Sequence, residues 1–295
     1  MLSLRQFVMY RTWTGRRSGT TMLKWDAIRS MSERPTIYMG QNPRVILLGA
    51  SNLTRSISTV VATASQIWGS PVDVVAAMGH GRSYGLPTQM FGRTLPGIMQ
   101  SGLWDFVRRC PKAPTAALIT DVGNDLLYEA PLDQIMEWMK RSLDQLLSYR
   151  SQVVMTLLPM SSIESLTTLR FQFFRRLLFP RSKIQLGTAI ELAHRLNDSL
   201  RRLGETCGIT LFEPRSHWYG VDPIHIKIRL WKEAWNEVLS TWKPNNQYPI
   251  AASGSILRWW YLRRLSPQRR WVRGVECCCQ QPAGSFADGS TFSFF

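Results

Sequence analysis

Residues 222–227 read DPIHIK, which sets a carboxylate and an imidazole three positions apart in a chain with only four histidines. An imidazole can take a proton from a nucleophile, and a carboxylate beside it can hold its tautomer and stabilise the resulting cation. The same string also reads as a helix start, with Asp222 as N-cap, Pro223 at the first helical position and His225 in the first turn. A D-x-x-H string arises readily by chance. The elements that carry it decide between these readings.

The first clear element is RVILLGA (44–50), an apolar run closed by glycine and followed by Ser51. Four further runs follow, VDVVAAMG (72–79), TAALITDVG (115–123), QVVMTLLP (152–159) and ITLFEPR (209–215). Continuous apolar runs are the habit of parallel strands buried on both faces. Between them, 51–69, 132–150 and 188–208 place apolar residues at helical spacing, and the first and last of these end in glycine. Strand and helix in alternation predict an α/β fold, a three-layer α/β/α sandwich around a mainly parallel, five-stranded, flavodoxin-like sheet. Ligands of such sheets sit where loops leave the carboxyl ends of the strands. Ser51, the loop GHGRSYG (79–85), DVGND (121–125) and the loop with His217, Asp222 and His225 all fall on that edge. Chance would scatter them.

A serine hydroxyl becomes nucleophilic when a base accepts its proton, and the tetrahedral intermediate needs donors aimed at its oxyanion. This edge supplies a serine, a histidine, a carboxylate and N–H donors. In that arrangement LLGASNL (47–53), MGHGRSYG (78–85), DVGND (121–125) and DPIHI (222–226) resemble, in order, the four blocks of the SGNH (GDSL-like) hydrolases, over roughly residues 44–241. The resemblance implies Ser51 as nucleophile, His225 as general base and then acid, and Asp222 as the group orienting it. It implies an oxyanion hole made by the Ser51 N–H, the Asn124 amide and a glycine-loop N–H, assigned to Gly81 with Gly79 and Arg82 as alternatives. There are departures: Ala50 stands where the family has Asp, removing a loop hydrogen bond, and Gly123 directly precedes Asn124. His80, Arg82 and Asp125 are candidate pocket residues; the Arg82 side chain either brings positive charge to the pocket or faces solvent. The expected activity is cleavage of a carboxylic ester or thioester through an acyl-enzyme. The alternative is a catalytically silent binding or regulatory protein of the same fold. A nucleotide-binding reading fails, since GASN is no phosphate loop and no G-x-G-x-x-G occurs.

The chain of 295 residues, 44% hydrophobic, can bury a full core. Its net charge of +16 gathers at the ends, with eight Lys/Arg against two Asp/Glu in 1–44 and seven against two in 243–295. The expected organisation is an N-terminal extension (1–43), a hydrolase domain (44–242) and a basic, Trp-rich C-terminal extension (243–295) ending in a hairpin at Asp288-Gly289. No apolar run is long enough to span a membrane and the N-terminus makes no convincing signal peptide, so a cytoplasmic protein is expected. Five cysteines, three of them contiguous at 277–279, fit a reducing compartment and no zinc pattern. No metal and no cofactor are expected; His194 reads as structural and His217 as packed or surface. The expected partner is a small-molecule, lipid or carbohydrate ester, with no nucleic acid.

Two segments are rich in arginine and aromatics. As a helix, 161–183 would bunch Phe171, Phe174, Leu177 and Leu178 on one side, which suits a packed helix, a lid, an acyl-binding wall or a membrane-surface helix. The stretch 256–274 suits anionic lipid headgroups, or a short helix laid down by Trp259, Trp260 and Leu262.

Overall fold

A computed structural model describes residues 42–90, 92–243 and 249–295. The expected N-terminal extension lies outside these residues save for its last two. Five parallel strands correspond to the five apolar runs: β1 (Arg44–Leu48), β2 (Asp73–Ala77), β5 (Thr115–Ile119), β6 (Gln152–Thr156) and β7 (Thr210–Phe212). They are not the whole sheet. The C-terminal segment adds β10 (Gly284–Ser285) and β11 (Thr291–Phe294), giving seven strands in the order β10-β11-β2-β1-β5-β6-β7. The hairpin at Asp288-Gly289 is present, with β10 and β11 antiparallel, but β11 also pairs parallel to β2. The basic appendage expected from the sequence is thus built into the sheet, because Thr291–Phe294, buried over its first three residues, pairs along the otherwise open edge of β2.

Successive side chains of a strand point to opposite faces, and this splits the core in two. Ile46 and Leu48 of β1 join the cluster covered by α2 (Leu103–Arg109), α4 (Leu132–Ser148) and α7 (Leu186–Cys207). Val45 and Leu47 join the opposite cluster, under α1 (Ser51–Trp68), α8 (Trp231–Ser240) and α9 (Ile256–Arg264). All five residues of β1, β2 and β5 are buried, as strands covered on both faces require. A second, four-stranded antiparallel sheet joins β3 (Thr88–Met90) and β4 (Arg93–Leu95) to β8 (Arg269–Val272) and β9 (Val275–Cys278), so Cys277 and Cys278 lie on an edge strand.

The segment 161–183 forms two helices, α5 (Met160–Glu164) and α6 (Thr168–Leu178). Leu177 departs from the expected bunch, standing exposed on the outer side of α6. In α9, Leu262 is buried and the Trp259 indole donates to Arg55 O, whereas Trp260 is exposed and does not hold the helix down. The chain passes from β1 to β2 on one side and to β5 on the other, which makes the carboxyl end of β1 the switch point of the sheet.

Candidate active site

Ser51 opens α1 directly after β1 and the turn Gly49-Ala50. A side chain at Gly49 would put its Cβ 2.5 Å from the Thr120 methyl, so glycine is what lets the β1 and β5 ends approach. The turn is held by Asp121, a residue in the left-handed region (φ 62°) that Asp tolerates better than most. Its Oδ2 accepts the Ala50 N–H (2.9 Å) and the Asn52 N–H (3.1 Å). The Ser51 N–H between them has no protein acceptor among the described residues and, at a helix N-terminus, is one of the orphan donors. The carboxylate missing at Ala50 is therefore replaced from the next strand end.

Asn52 joins this turn to the histidine loop. Its Nδ2 donates to Asp121 Oδ1 and to Ile224 O, both at 2.8 Å, and its Oδ1 accepts the Ile226 N–H at 2.9 Å. His225, between Ile224 and Ile226, reaches Ser51 Oγ with Nε2 at 2.8 Å and Asp222 Oδ2 with Nδ1 at 2.6 Å. The carboxylate fixes the proton on Nδ1, which leaves Nε2 to accept from the serine hydroxyl. The expected helix start is absent: residues 221–225 form successive bends, and the next turn is 3₁₀, at Ile228–Leu230. Asp222 nevertheless caps its own loop, since Oδ1 accepts the N–H groups of Ile224 and His225 (3.2 Å each) while Oδ2 serves the imidazole. Partial burial pushes the Asp222 carboxyl up, but the hydrogen bond and charge of His225 and the two N–H groups outweigh it and hold the carboxyl below its usual range. Arg55, one turn below Ser51, places Nη1 4.0 Å from the same Oδ2.

Asn124 begins α3 (Asn124–Leu127), is almost fully buried, and lines one cavity with Ser51. Its amide donates one hydrogen to Arg82 O at 3.5 Å, leaving the other for a ligand. Gly81 occupies a left-handed position (φ 62°) and its carbonyl accepts the Tyr128 hydroxyl at 2.5 Å, but it does not line that cavity. The alternative donor, the Arg82 N–H, is spent on Gly79 O. The Arg82 side chain follows neither expected course: it is completely buried, away from both the cavity and solvent, donating to the carbonyls of Pro96, Met78 and Phe295. Burial lowers its pKa to about 9. Asp125 is also fully buried, accepting from Ser83 Oγ and the Tyr84 N–H, so it braces the glycine loop and does not line that cavity. His80 sits outside the cavity with Nε2 2.9 Å from Arg263 Nη1. Burial first, then the charges of Arg263, His225 and Arg55, lower its pKa to about 4, so it is a neutral acceptor. His217 and His194 lie elsewhere, against Glu233 (2.5 Å) and Glu164 (2.7 Å).

From Ser51 and Asn124 the cavity runs between Leu126, Leu158, Phe171, Phe174, Leu178 and Phe179, and among the described residues Asp121 and Arg175 are its only charged lining residues. Its outer wall is α6, tied to the loop that carries Asp222 and His225 by Arg170 Nη2, which donates to Gly220 O (3.1 Å) and Val221 O (2.7 Å). Asn52 and Asp121, which join the Ser51 turn to the His225 loop, were not singled out from the sequence; the available signal was their adjacency to Ser51 and to the third strand's end.

Four blocks far apart in sequence thus meet at one switch point. Neighbours among solved structures include esterases and a GDSL-like lipase. The psychrotrophic esterase EstA from Pseudoalteromonas sp. is 12% identical, with 68% of this chain and 99% of that chain covered at a TM-score of 0.42. A GDSL-like lipase from Bacteroides thetaiotaomicron VPI-5482 is 11% identical, with 74% and 94% covered at 0.43. The acetyl xylan esterase AlAXEase is 9% identical, with 66% and 98% covered at 0.44. No family model matches this chain, and no curated protein does.

Proposed function

We propose that this chain is an SGNH-type serine hydrolase that cleaves a carboxylic ester or thioester with an apolar acyl group through an acyl-enzyme. The observation that carries the reading is the relay from Ser51 Oγ to His225 Nε2 (2.8 Å) and from His225 Nδ1 to Asp222 (2.6 Å). Ser51 Oγ attacks the acyl carbon as its proton passes to Nε2, and Asp222 stabilises the imidazolium formed. The oxyanion is met by the Ser51 N–H and the Asn124 amide, and each such donor contributes about 3 kcal/mol to lowering the barrier. His225 then protonates the leaving oxygen or sulfur; a water deprotonated by the same nitrogen releases the acid. The acyl group lies against the leucines and phenylalanines of the cavity, whose near absence of charge favours a hydrocarbon over a sugar on that side. The five cysteines are all free thiols, which accords with the cytoplasm as the compartment.

Labelling by a fluorophosphonate tests this. The unmodified chain is expected to label, and Ser51→Ala and His225→Ala chains are not. A folded, unmodified chain that fails to label overturns the catalytic reading in favour of a silent binding protein.

A further inference from the structure

Helix α6 is apolar on two opposite sides. Phe171, Phe174 and Leu178, spaced i, i+3, i+7, face the catalytic cavity. Leu169, Phe173 and Leu177, spaced i, i+4, i+8, form a stripe on the other side and are 80%, 62% and 64% exposed. Scattered exposed hydrophobics need no explanation, but an aligned stripe of large ones does. A helix with two apolar sides ordinarily buries both, and here the outer side stands exposed among the described residues. Val221, on the loop bound by Arg170 and next to Asp222, is equally exposed. A second stripe stands beside α1: α9 exposes Ile256, Leu257 and Trp260, while its Arg263 reaches His80 and its Trp259 holds Arg55 O.

Charge identifies the occupant. Residues 165–185 carry five Lys/Arg and no Asp/Glu, and residues 251–275 carry six Arg and no Asp/Glu. Two copies of the chain meeting on these stripes would bring like charges together in a molecule of net charge +16. Apolar side chains flanked by arginine and tryptophan instead fit a surface whose headgroups are anionic and whose interior is hydrocarbon. No helix among the described residues is long and apolar enough to cross a membrane, so the contact is one of lying on the surface. We propose that the outer stripe of α6, with Val221 and α9, docks the chain on an anionic lipid bilayer and so brings the mouth of the catalytic cavity to that surface.

Sedimentation with vesicles reads the binding without turnover, using the full chain as Ser51→Ala. The chain is expected to co-sediment with vesicles of phosphatidylcholine and phosphatidylglycerol in equal parts, weakly with phosphatidylcholine alone, and less as salt is raised. A chain also carrying Leu169→Ser, Phe173→Ser and Leu177→Ser is expected to lose about tenfold or more of its affinity, since three apolar side chains no longer enter the hydrocarbon. These residues line no part of the cavity, so the same triple variant with Ser51 intact should still label with fluorophosphonate. That separates failure of docking from failure of the hydrolase reading. Absence of binding to the mixed vesicles, binding unchanged in the triple variant, or a self-association that the triple variant abolishes would each overturn the proposal.

Discussion

The two walls of the candidate active-site cavity are held by different forces. The wall bearing Ser51 is a polar lattice: Asp121 and Asn52 make five hydrogen bonds of 2.8–3.1 Å that join the nucleophile turn, the third strand end and the histidine loop. The wall made by α6 is a row of apolar side chains, held to the catalytic loop by one arginine. Proton transfer fails when atoms move by an ångström, so the first wall is fixed by directional bonds. In the proposed hydrolase, acyl binding rests on non-directional burial, which tolerates movement and leaves α6 free to present a second apolar face outward.

Substitutions that break the first wall should therefore act on rate and those that break the second on substrate choice. The largest effects belong to the reacting groups. Ser51→Ala or His225→Ala should lower kcat on an activated ester by on the order of 10⁶-fold, and Asn124→Ala by on the order of 10²- to 10³-fold, in steady-state assays. Asn52→Ala and Asp121→Asn come next. Each should slow acylation by on the order of 10²-fold with little change in KM, because the serine and imidazole lose registry and the pocket does not. Pre-steady-state acylation rates check this, and an effect on KM alone would erase the distinction between the walls. Phe174→Ala or Leu178→Ala should lower kcat/KM by about tenfold for an octanoyl ester, from lost apolar burial, and leave an acetyl ester nearly unchanged. Equal losses on both esters would show that the second wall also positions the chemistry.

The smallest effect concerns pH. Burial raises the Asp125 carboxyl to about 6 against the lowering influence of Ser83 and Tyr84, from an ordinary value of 3.8. Between these values the folded chain holds a proton on Asp125 that the unfolded chain has released, so the Asp125 contribution to stability falls as pH rises from about 4 through about 6. His80, held near 4 from an ordinary 6.5, acts in the opposite sense in the same window, since there the unfolded chain binds the extra proton. Urea midpoints of the unmodified chain and Asp125→Asn across this range should differ by the Asp125 contribution alone. Asp125→Asn should make stability rise more steeply with pH.

Much of the site was legible because its signals are local. A buried strand ending at Ser51, and a carboxylate three residues before an imidazole, are patterns within a few positions, and the rule of strand ends puts them together. Asn52 and Asp121 were not legible, because their partners lie 69 to 174 positions away and nothing in ASN or DVG specifies which loop will arrive. Arg82 misled for the same reason. A glycine-loop arginine reads as pocket or solvent until the carbonyls of Met78, Pro96 and Phe295 are seen to surround it. The DPIHI loop misled in a different way: Asp-Pro is a good helix start, yet Asp222 satisfies the same N–H groups in a bend while its other oxygen holds the imidazole.

Apolar periodicity, strand order and motif spacing determined the layered α/β architecture and the chemical types gathered at one edge, because those follow from short-range patterning and burial. Tertiary structure alone decided which hydrogen bonds fix the Ser51 turn, that the C-terminal strand completes the sheet beside β2, and that α6 turns one apolar face inward and another outward. Each of these depends on distant segments competing for the same donors, edges and surfaces, and that competition is resolved only when the chain has closed on itself.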